Sequence, residues 1–369
     1  MNIRKGILLS AAAFAIGVFL TGQATRSRAA APEGVDPDGT LHIQNLAVPL
    51  SSFLSPEARS YMLHLLKDRP FSGGPSPTQD IKGYRARQDE IMNWFLDPIR
   101  KRYPVNVEHQ TIAGIYADIV TPKEGVAPKN RNRVLLNVHG GGFVSGARTA
   151  ALIESIPVAS VEKIKVITID YRMGPEYKFP AASEDVAAVY KEVLKQYQPQ
   201  HIGLYGCSAG GMLTAMSIAW FQKNHLPNPS AAGVLCASIG GIGGGDASFI
   251  TGPLNGMTMP PGGGRTGNSA PRNNFDYSSN VDPKDPLAYP INSPELVAKF
   301  PPTLLVTSTR AMEYSSAVNS HNALVRAGVD TELHVWDGLP HAFWYNSDLP
   351  ESREVYDVIA RFFDRHFGK

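Results

Sequence analysis

The sequence predicts an α/β fold: a mostly parallel, eight-stranded sheet with helices on both faces. Three observations predict it. Short apolar, strand-like runs recur at Val105–Ile112, Ile115–Thr121, Arg133–Val138, Lys165–Asp170, His201–Tyr205, Gly233–Ser238, Thr303–Ser308 and Thr331–Trp336. Helical patterns alternate with the later runs, the rhythm of a parallel sheet covered on both sides. And one strand, Ile202-Gly203-Leu204-Tyr205, runs into a helix through Gly206-Cys207-Ser208-Ala209-Gly210.

In chain order, Leu50–Tyr103 reads as helices, with an apolar face around Met92, Phe95 and Ile99. Glu184–Tyr197 places Val186, Val189, Tyr190, Val193 and Leu194 on one helical face. The helix from Gly211-Met212 carries Met212, Met216, Ala219 and Trp220 at helical spacing, and Ser315–Ala327 reads as another helix. Val355, Ile359, Phe362 and Phe363 form a stripe near the end. Residues 240–300 break the rhythm with a long Gly/Pro/Asn-rich excursion between the sixth and seventh strands. A connection of that length is usually a lid or a disordered loop. No internal repeat is evident.

Ser208, with glycines two before and two after it, fits a sharp strand-to-helix turn that lifts a nucleophile clear of the backbone. Glycine suits the turn because it tolerates unusual backbone angles and close approach, and the helix N-terminus favours developing negative charge. His139-Gly140-Gly141-Gly142-Phe143 follows the apolar run Val134-Leu135-Leu136-Asn137-Val138. Glycines at the end of a buried strand let backbone amides approach a reacting carbonyl oxygen. Alone, either motif could be an ordinary Gly-rich turn; together they point to acyl transfer.

With these motifs the chain resembles the hormone-sensitive-lipase-like esterases of the α/β-hydrolase fold. Asp170-Tyr171-Arg172-Met173-Gly174-Pro175-Glu176 and Phe179-Pro180-Ala181-Ala182-Ser183-Glu184-Asp185 are similar to that family's Tyr-Arg-Leu-Ala-Pro-Glu segment. The four blocks fall in the family's order, from about Val105 to the C-terminus. The resemblance implies Ser208 as nucleophile, His341 in Leu339-Pro340-His341-Ala342-Phe343 as base, and the amides of Gly141, Gly142 and Ala209 as the oxyanion hole. It also implies that His139 shapes the glycine loop, that Arg172 and Glu176 are structural, and that a cap from residues 32–104 and 240–300 lies over Ser208. Trp94, Phe95, Phe143, Met257 and Trp344 are candidates for an acyl pocket, though ordinary core packing explains most of them equally well.

Two departures stand out. The family places an Asp after its seventh strand, but here Ser308-Thr309-Arg310-Ala311-Met312-Glu313 puts Ala311 near that register. Between Pro301 and Val329 the only carboxylate is Glu313, so Glu313 is the expected triad acid; its alternative is a solvated charge at a helix start. Asp337 is the runner-up, close in sequence to His341. The second departure is Cys207, where the family most often has Asp; it reads as small packing that points away from the substrate face.

The first residues carry Arg4-Lys5, an apolar run Ile7–Leu20, and Ala29-Ala30-Ala31, the pattern of a secretory signal peptide. A spanning helix needs about 20 apolar residues, so a lasting anchor is not expected. The expected organisation is a signal peptide at 1–31, a helical cap segment at 32–104 and a catalytic domain at 105–369, with a periplasmic or secreted destination. The whole chain has 35 Lys+Arg and 33 Asp+Glu, net +2. Residues 1–31 hold four of the basic residues and no acid, so the remainder carries −2 and no basic block. Nucleic-acid and polybasic membrane binding have no support. Only Cys207 and Cys236 are present; no zinc-ligand spacing occurs, and Gly262-Gly263-Gly264-Arg265-Thr266 lacks the Lys-Ser/Thr ending of a phosphate loop. No cofactor and no metal are expected.

The leading expectation is an exported serine esterase acting on short-to-medium acyl, small-molecule esters, with a homodimer left open. A catalytically impaired small-molecule-binding protein and a specialised carbohydrate or polyester deacylase are the alternatives.

Overall fold

The computed structural model describes residues 34–36, 39–41, 43, 47–256 and 277–368. The segment read as a signal peptide, Met257 and the Gly262–Thr266 tract lie outside them. Met1–Val48 separates as a unit of its own, in which an isolated bridge joins Val35 and Leu41. Pro49–Lys369 forms the second unit, which carries the sheet.

The strands are β1 (Val105–Ile112), β2 (Ile115–Pro122), β3 (Val134–Val138), β4 (Lys165–Ile169), β5 (Ile202–Cys207), β6 (Ala231–Leu235), β7 (Thr303–Ser308) and β8 (Thr331–Trp336). They lie in the order β1-β2-β4-β3-β5-β6-β7-β8. β2 pairs antiparallel with both β1 and β4, and every later pairing is parallel. The helices are α1 (Pro56–Asp68), α2 (Ile81–Arg102), α3 (Ala150–Glu162), α4 (Ala181–Val193), α5 (Ala209–Lys223), α6 (Ala247–Leu254), α7 (Pro294–Val297), α8 (Tyr314–Arg326) and α9 (Pro350–His366). This is the α/β-hydrolase architecture that the sequence led us to expect.

The central strands are buried on both faces, which is why they read as continuous apolar runs. The period of two divides their side chains between two cores. Val134, Leu136 and Val138 join residues of α4 and α5, as do Ile202 and Leu204. Leu135, Tyr205 and Cys207 join residues of α1, α2, α3 and α9 on the other face. Cys207 therefore ends β5 facing the α3 side, and the next residue, Ser208, stands at the tip of the strand.

Element boundaries shift where local geometry overrides pattern. The sixth strand spans Ala231–Leu235 rather than Gly233–Ser238, because Cys236 adopts φ 48° and breaks the extended backbone. α5 starts at Ala209, two residues earlier than its apolar pattern, because the chain turns directly after Ser208. α4 begins at Ala181 and ends at Val193, earlier at both ends than Glu184–Tyr197.

The glycines flanking Ser208 are required by contact with β3. A Cβ on Gly206 would stand 2.0 Å from the Val138 carbonyl oxygen, and one on Gly210 would stand 1.9 Å from it. Backbone cannot yield there as a flexible side chain could. We expect Gly206→Ala and Gly210→Ala each to cost about 3 kcal/mol or more in urea unfolding, while Gly241→Ala, with nothing within 4 Å of its Cβ, stays within about 0.5 kcal/mol of the parent. A Gly210→Ala variant as stable as the parent would contradict this close approach.

Candidate active site

The strand-to-helix junction holds Ser208 at φ 59° and ψ −122°, a conformation that non-glycine residues rarely adopt. The Ser208 amide donates to the Leu235 carbonyl of β6 (2.8 Å), and Met212 of α5 donates back to the Ser208 carbonyl (3.0 Å). Both hydrogen bonds tie the turn to neighbouring elements, which is how a strained backbone persists.

His341 sits in the loop after β8. Ser308 Oγ donates to the Leu339 and Pro340 carbonyls (2.8 and 3.2 Å), so the end of β7 fixes that loop. The ring spans two partners: Nε2 lies 2.9 Å from Ser208 Oγ, and Nδ1 lies 2.7 Å from Glu313 Oε2. With Nδ1–H donating to the carboxylate, Nε2 is free to accept the serine proton. Glu313 Oε1 also accepts from Thr307 Oγ1 at 3.1 Å.

Glu313 is fully buried, so the alternative of a solvated charge at a helix start is wrong. Glu313 immediately precedes α8, and its side chain caps no helix amide but meets the His341 ring. Asp337 does not face the ring. Its carboxylate accepts from Thr309 Oγ1 (2.8 Å) and Ser51 Oγ, and so staples the loop before His341.

Burial raises the Glu313 carboxyl, but the charge and hydrogen bond of His341 outweigh it and leave it below the usual range. Burial likewise lowers the basicity of His341, and the Glu313 carboxylate reverses this, raising its pKa to about 9. The pair is mutually stabilised in its charged form.

The glycine loop wraps back on itself. Gly141 (φ 119°) offers its carbonyl to the amides of Val144 and Ser145, both at 3.1 Å, and a Cβ there would meet Ser145 O at 2.0 Å. Gly142 (φ 65°) faces open space, its would-be Cβ meeting only Val144 Cγ2, at 3.8 Å. Ala209 opens α5, where the first amides lack an intrahelical acceptor. Arg85 of α2 braces the loop from behind, donating to Val144 O (2.7 Å).

His139 is completely buried, stacked on Tyr171 at 4.4 Å with Nδ1 2.7 Å from Gly140 O. It meets the loop, not the serine. Arg172 pairs with Asp185 and Glu184 of α4, and Glu176 with Arg85. These pairs fasten the loop after β4 to α4 and α2. Cys207 is buried and its thiol is pushed up by burial, as packing rather than a nucleophile requires. Phe95, Phe143 and Trp344 are core residues, while Trp94 is exposed. Among the described residues, no group of three or more His, Cys, Asp or Glu could hold a metal ion, and no helix is long and apolar enough to cross a membrane.

One residue escaped the sequence reading. Glu154 lies in the buried helix α3, in the run Ala150-Ala151-Leu152-Ile153-Glu154, and its carboxylate takes donors from Gly140 and Cys207. A lone acid in an otherwise apolar helical run was the available signal.

A serine on a strand-to-helix turn, joined through histidine to a carboxylate at one end of such a sheet, defines the α/β-hydrolase class. A family model described as alpha/beta hydrolase fold matches residues 135–345. The chain belongs to that family. An acetyl-hydrolase of Streptomyces hygroscopicus is 28% identical over 252 residues, covering 66% of this chain and 81% of that protein. A versiconal hemiacetal acetate esterase of Dothistroma septosporum is 25% identical over 304 residues, covering 76% and 88%. The crystal structure of an esterase covers 89% of this chain and 99% of its own, at 26% identity and TM-score 0.75. An esterase of the bacterial hormone-sensitive lipase family shares the fold at TM-score 0.69 and 24% identity, covering 85% of this chain and 99% of its own.

The raised His341 pKa sets a pH dependence. Only the neutral ring can accept a proton, so kcat/KM should rise tenfold per pH unit and level off near pH 9. In Glu313→Gln the charge that raises the pKa is gone, and the limb should move to lower pH. A pH-rate profile unchanged in position by that substitution would break the assigned pairing.

Proposed function

We propose that this carboxylic ester hydrolase cleaves short-to-medium acyl esters through an acyl-enzyme on Ser208, with His341 as base and Glu313 as the orienting acid. The observation that carries the reading is the unbroken hydrogen-bond chain from Ser208 Oγ through His341 to Glu313. Ser208 attacks the ester carbonyl as its proton passes to His341 Nε2, and the imidazolium formed is stabilised by the buried Glu313 carboxylate. The amides of Gly141, Gly142 and Ala209 hold the oxyanion, each donor contributing about 3 kcal/mol to the transition state. His341 then protonates the leaving alcohol and activates the water that hydrolyses the acyl-enzyme. An impaired, binding-only protein would need this chain broken, and that alternative has no observation in its favour.

A cavity of about 470 Å³ opens beside Pro340, which precedes His341, with Met62, Leu65, Leu66, Phe71 and Asn255 among its walls. It joins the first helix to the end of α6, which supports a cap built from the N-terminal helices and the insertion. Its size and apolar walls suit a modest acyl or alcohol group. The names of the two curated relatives point to the short, acetyl end of that range. Export to the periplasm or exterior is part of the proposal and rests on residues 1–31 alone.

The test is hydrolysis of p-nitrophenyl acetate, butyrate and octanoate by the chain lacking residues 1–31. We expect acetate and butyrate to be preferred over octanoate. Ser208→Ala should lose at least about 10⁴-fold in kcat, and Glu313→Gln on the order of 10³–10⁴-fold. No turnover of any ester by folded protein would defeat the esterase reading. Export is checked separately: expression of the full chain in a bacterial host, followed by fractionation and N-terminal sequencing, should find a periplasmic or secreted product shortened near Ala31.

A further inference from the structure

Glu154 receives four hydrogen bonds, two on each carboxylate oxygen. Oε1 accepts from the Gly140 amide (2.8 Å) and the Tyr345 hydroxyl (2.5 Å), and Oε2 from Asn137 Nδ2 (2.9 Å) and the Cys207 amide (3.1 Å). All four donors are neutral groups. Three of them come from the three segments that carry the chemistry. Gly140 precedes Gly141 of the glycine loop, Cys207 precedes Ser208, and Tyr345 lies in the turn after His341. The fourth, Asn137, is held in orientation because its Oδ1 accepts from Thr168 Oγ1 (2.6 Å).

We propose that Glu154 is a positioning residue for ester hydrolysis, its single carboxylate setting the register between the glycine loop, the Ser208 elbow and the His341 loop. The proposal rests on the esterase reading above and adds to it a residue that touches neither the substrate nor the reacting atoms.

The physical case has two parts. A completely buried carboxylate among the apolar neighbours Leu152, Ile153, Ile156 and Val158 of α3 is unfavourable, and an alkyl side chain there would cost less. Burial pushes the Glu154 carboxyl up to about 7, against the pull of its four donors, so the site tolerates this group at a cost. What the group supplies in return is connection. An anionic oxygen accepting two N–H or O–H donors is a strong, directional anchor, and here two such anchors on one side chain bind the amide of Gly140 in the glycine loop and that of Cys207 at the end of β5. No apolar side chain can do this, and neither can Gln, whose amide nitrogen would face donors with a donor.

Oxyanion stabilisation depends on donors placed where charge develops in the transition state, not on the ground-state carbonyl. A shift between the glycine loop and the elbow therefore weakens the transition state more than substrate binding. The expected signature is a fall in kcat with KM little changed.

The experiment compares the parent, Glu154→Gln and Glu162→Gln on p-nitrophenyl butyrate, with active sites counted by titration with a p-nitrophenyl phosphonate. Glu162 lies on the same helix, is buried, and has no hydrogen-bond partner on either carboxylate oxygen. Its substitution should leave kcat per titrated site unchanged, whatever it does to thermal stability. Glu154→Gln should lose about tenfold or more in kcat per site with KM within about threefold. A Glu154→Gln variant with the parent's kcat per site overturns the proposal, as does an equal fall in Glu162→Gln, which would make the effect one of helix stability. Should Glu154→Gln fail to fold, Tyr345→Phe decides. It removes one donor and leaves the carboxylate in place, so a fall of about threefold or more in kcat at constant KM supports the proposal, and no fall overturns it. An inactive parent would strike the esterase reading itself, a different result from an active parent that is indifferent to Glu154.

Discussion

The site depends on how closely the end of β3 passes the turn after β5. The Val138 carbonyl lies so near Gly206 and Gly210 that neither could carry a Cβ. Two parallel strands can end this close only when the crossing backbone has no side chains in the way. The contact brings the glycine loop, which continues from β3, alongside the serine, which continues from β5. The parallel register pairs Asn137 with Tyr205, two residues before His139 and three before Ser208. The glycine loop and Ser208 are therefore neighbours because of sheet pairing and steric clearance, before any polar contact is considered.

Polar contacts then fix what packing brought together. Glu313 and His341 form a buried pair in which each holds the other in its charged form, the carboxyl lowered and the imidazole raised. Removing one partner of such a pair leaves an uncompensated charge in the core, which is more damaging than never having built it. Thr307 and Ser308, the last two residues of β7, supply the supporting hydrogen bonds to Glu313 and to the His341 loop. Glu313 and the His341 loop are thus both held by the end of one strand.

The described chain is anchored on both sides of residues 257–276. On the outgoing side, Asn255 donates to Arg310 O (2.9 Å), and Arg310 donates to Leu254 O (2.8 Å), close to the Glu313 turn. On the return side, Tyr277 stacks on Phe143 of the glycine-loop motif at 4.7 Å and takes the Ala182 amide on its hydroxyl (2.6 Å). These contacts tie residues 254–255 to Arg310 and Tyr277 to Phe143 and Ala182, beside the candidate site.

Much of this was legible in the sequence. The glycine spacing around Ser208 and after Val138, and the apolar runs that end in them, announced the strands, the turn and the fold, because backbone clearance and period-two burial act locally. The sequence also isolated Glu313, since no other carboxylate was within reach of that loop. It preferred Glu313 to the runner-up Asp337, which lies only four residues before His341, and in the structure Glu313 meets the ring while Asp337 bonds Thr309 and Ser51. It misplaced the end of β6, where the left-handed backbone of Cys236 is imposed by packing. It passed over Glu154, an acid in a largely apolar stretch of helix, because its meaning lies in four donors drawn from three segments: the end of β3 with the loop after it, the end of β5, and the turn after His341. The sequence by itself determined the fold and the two motifs, whose causes are steric and local; the tertiary structure alone decided which charges meet, because hydrogen-bond partners in a buried site are chosen by distance in space and not along the chain.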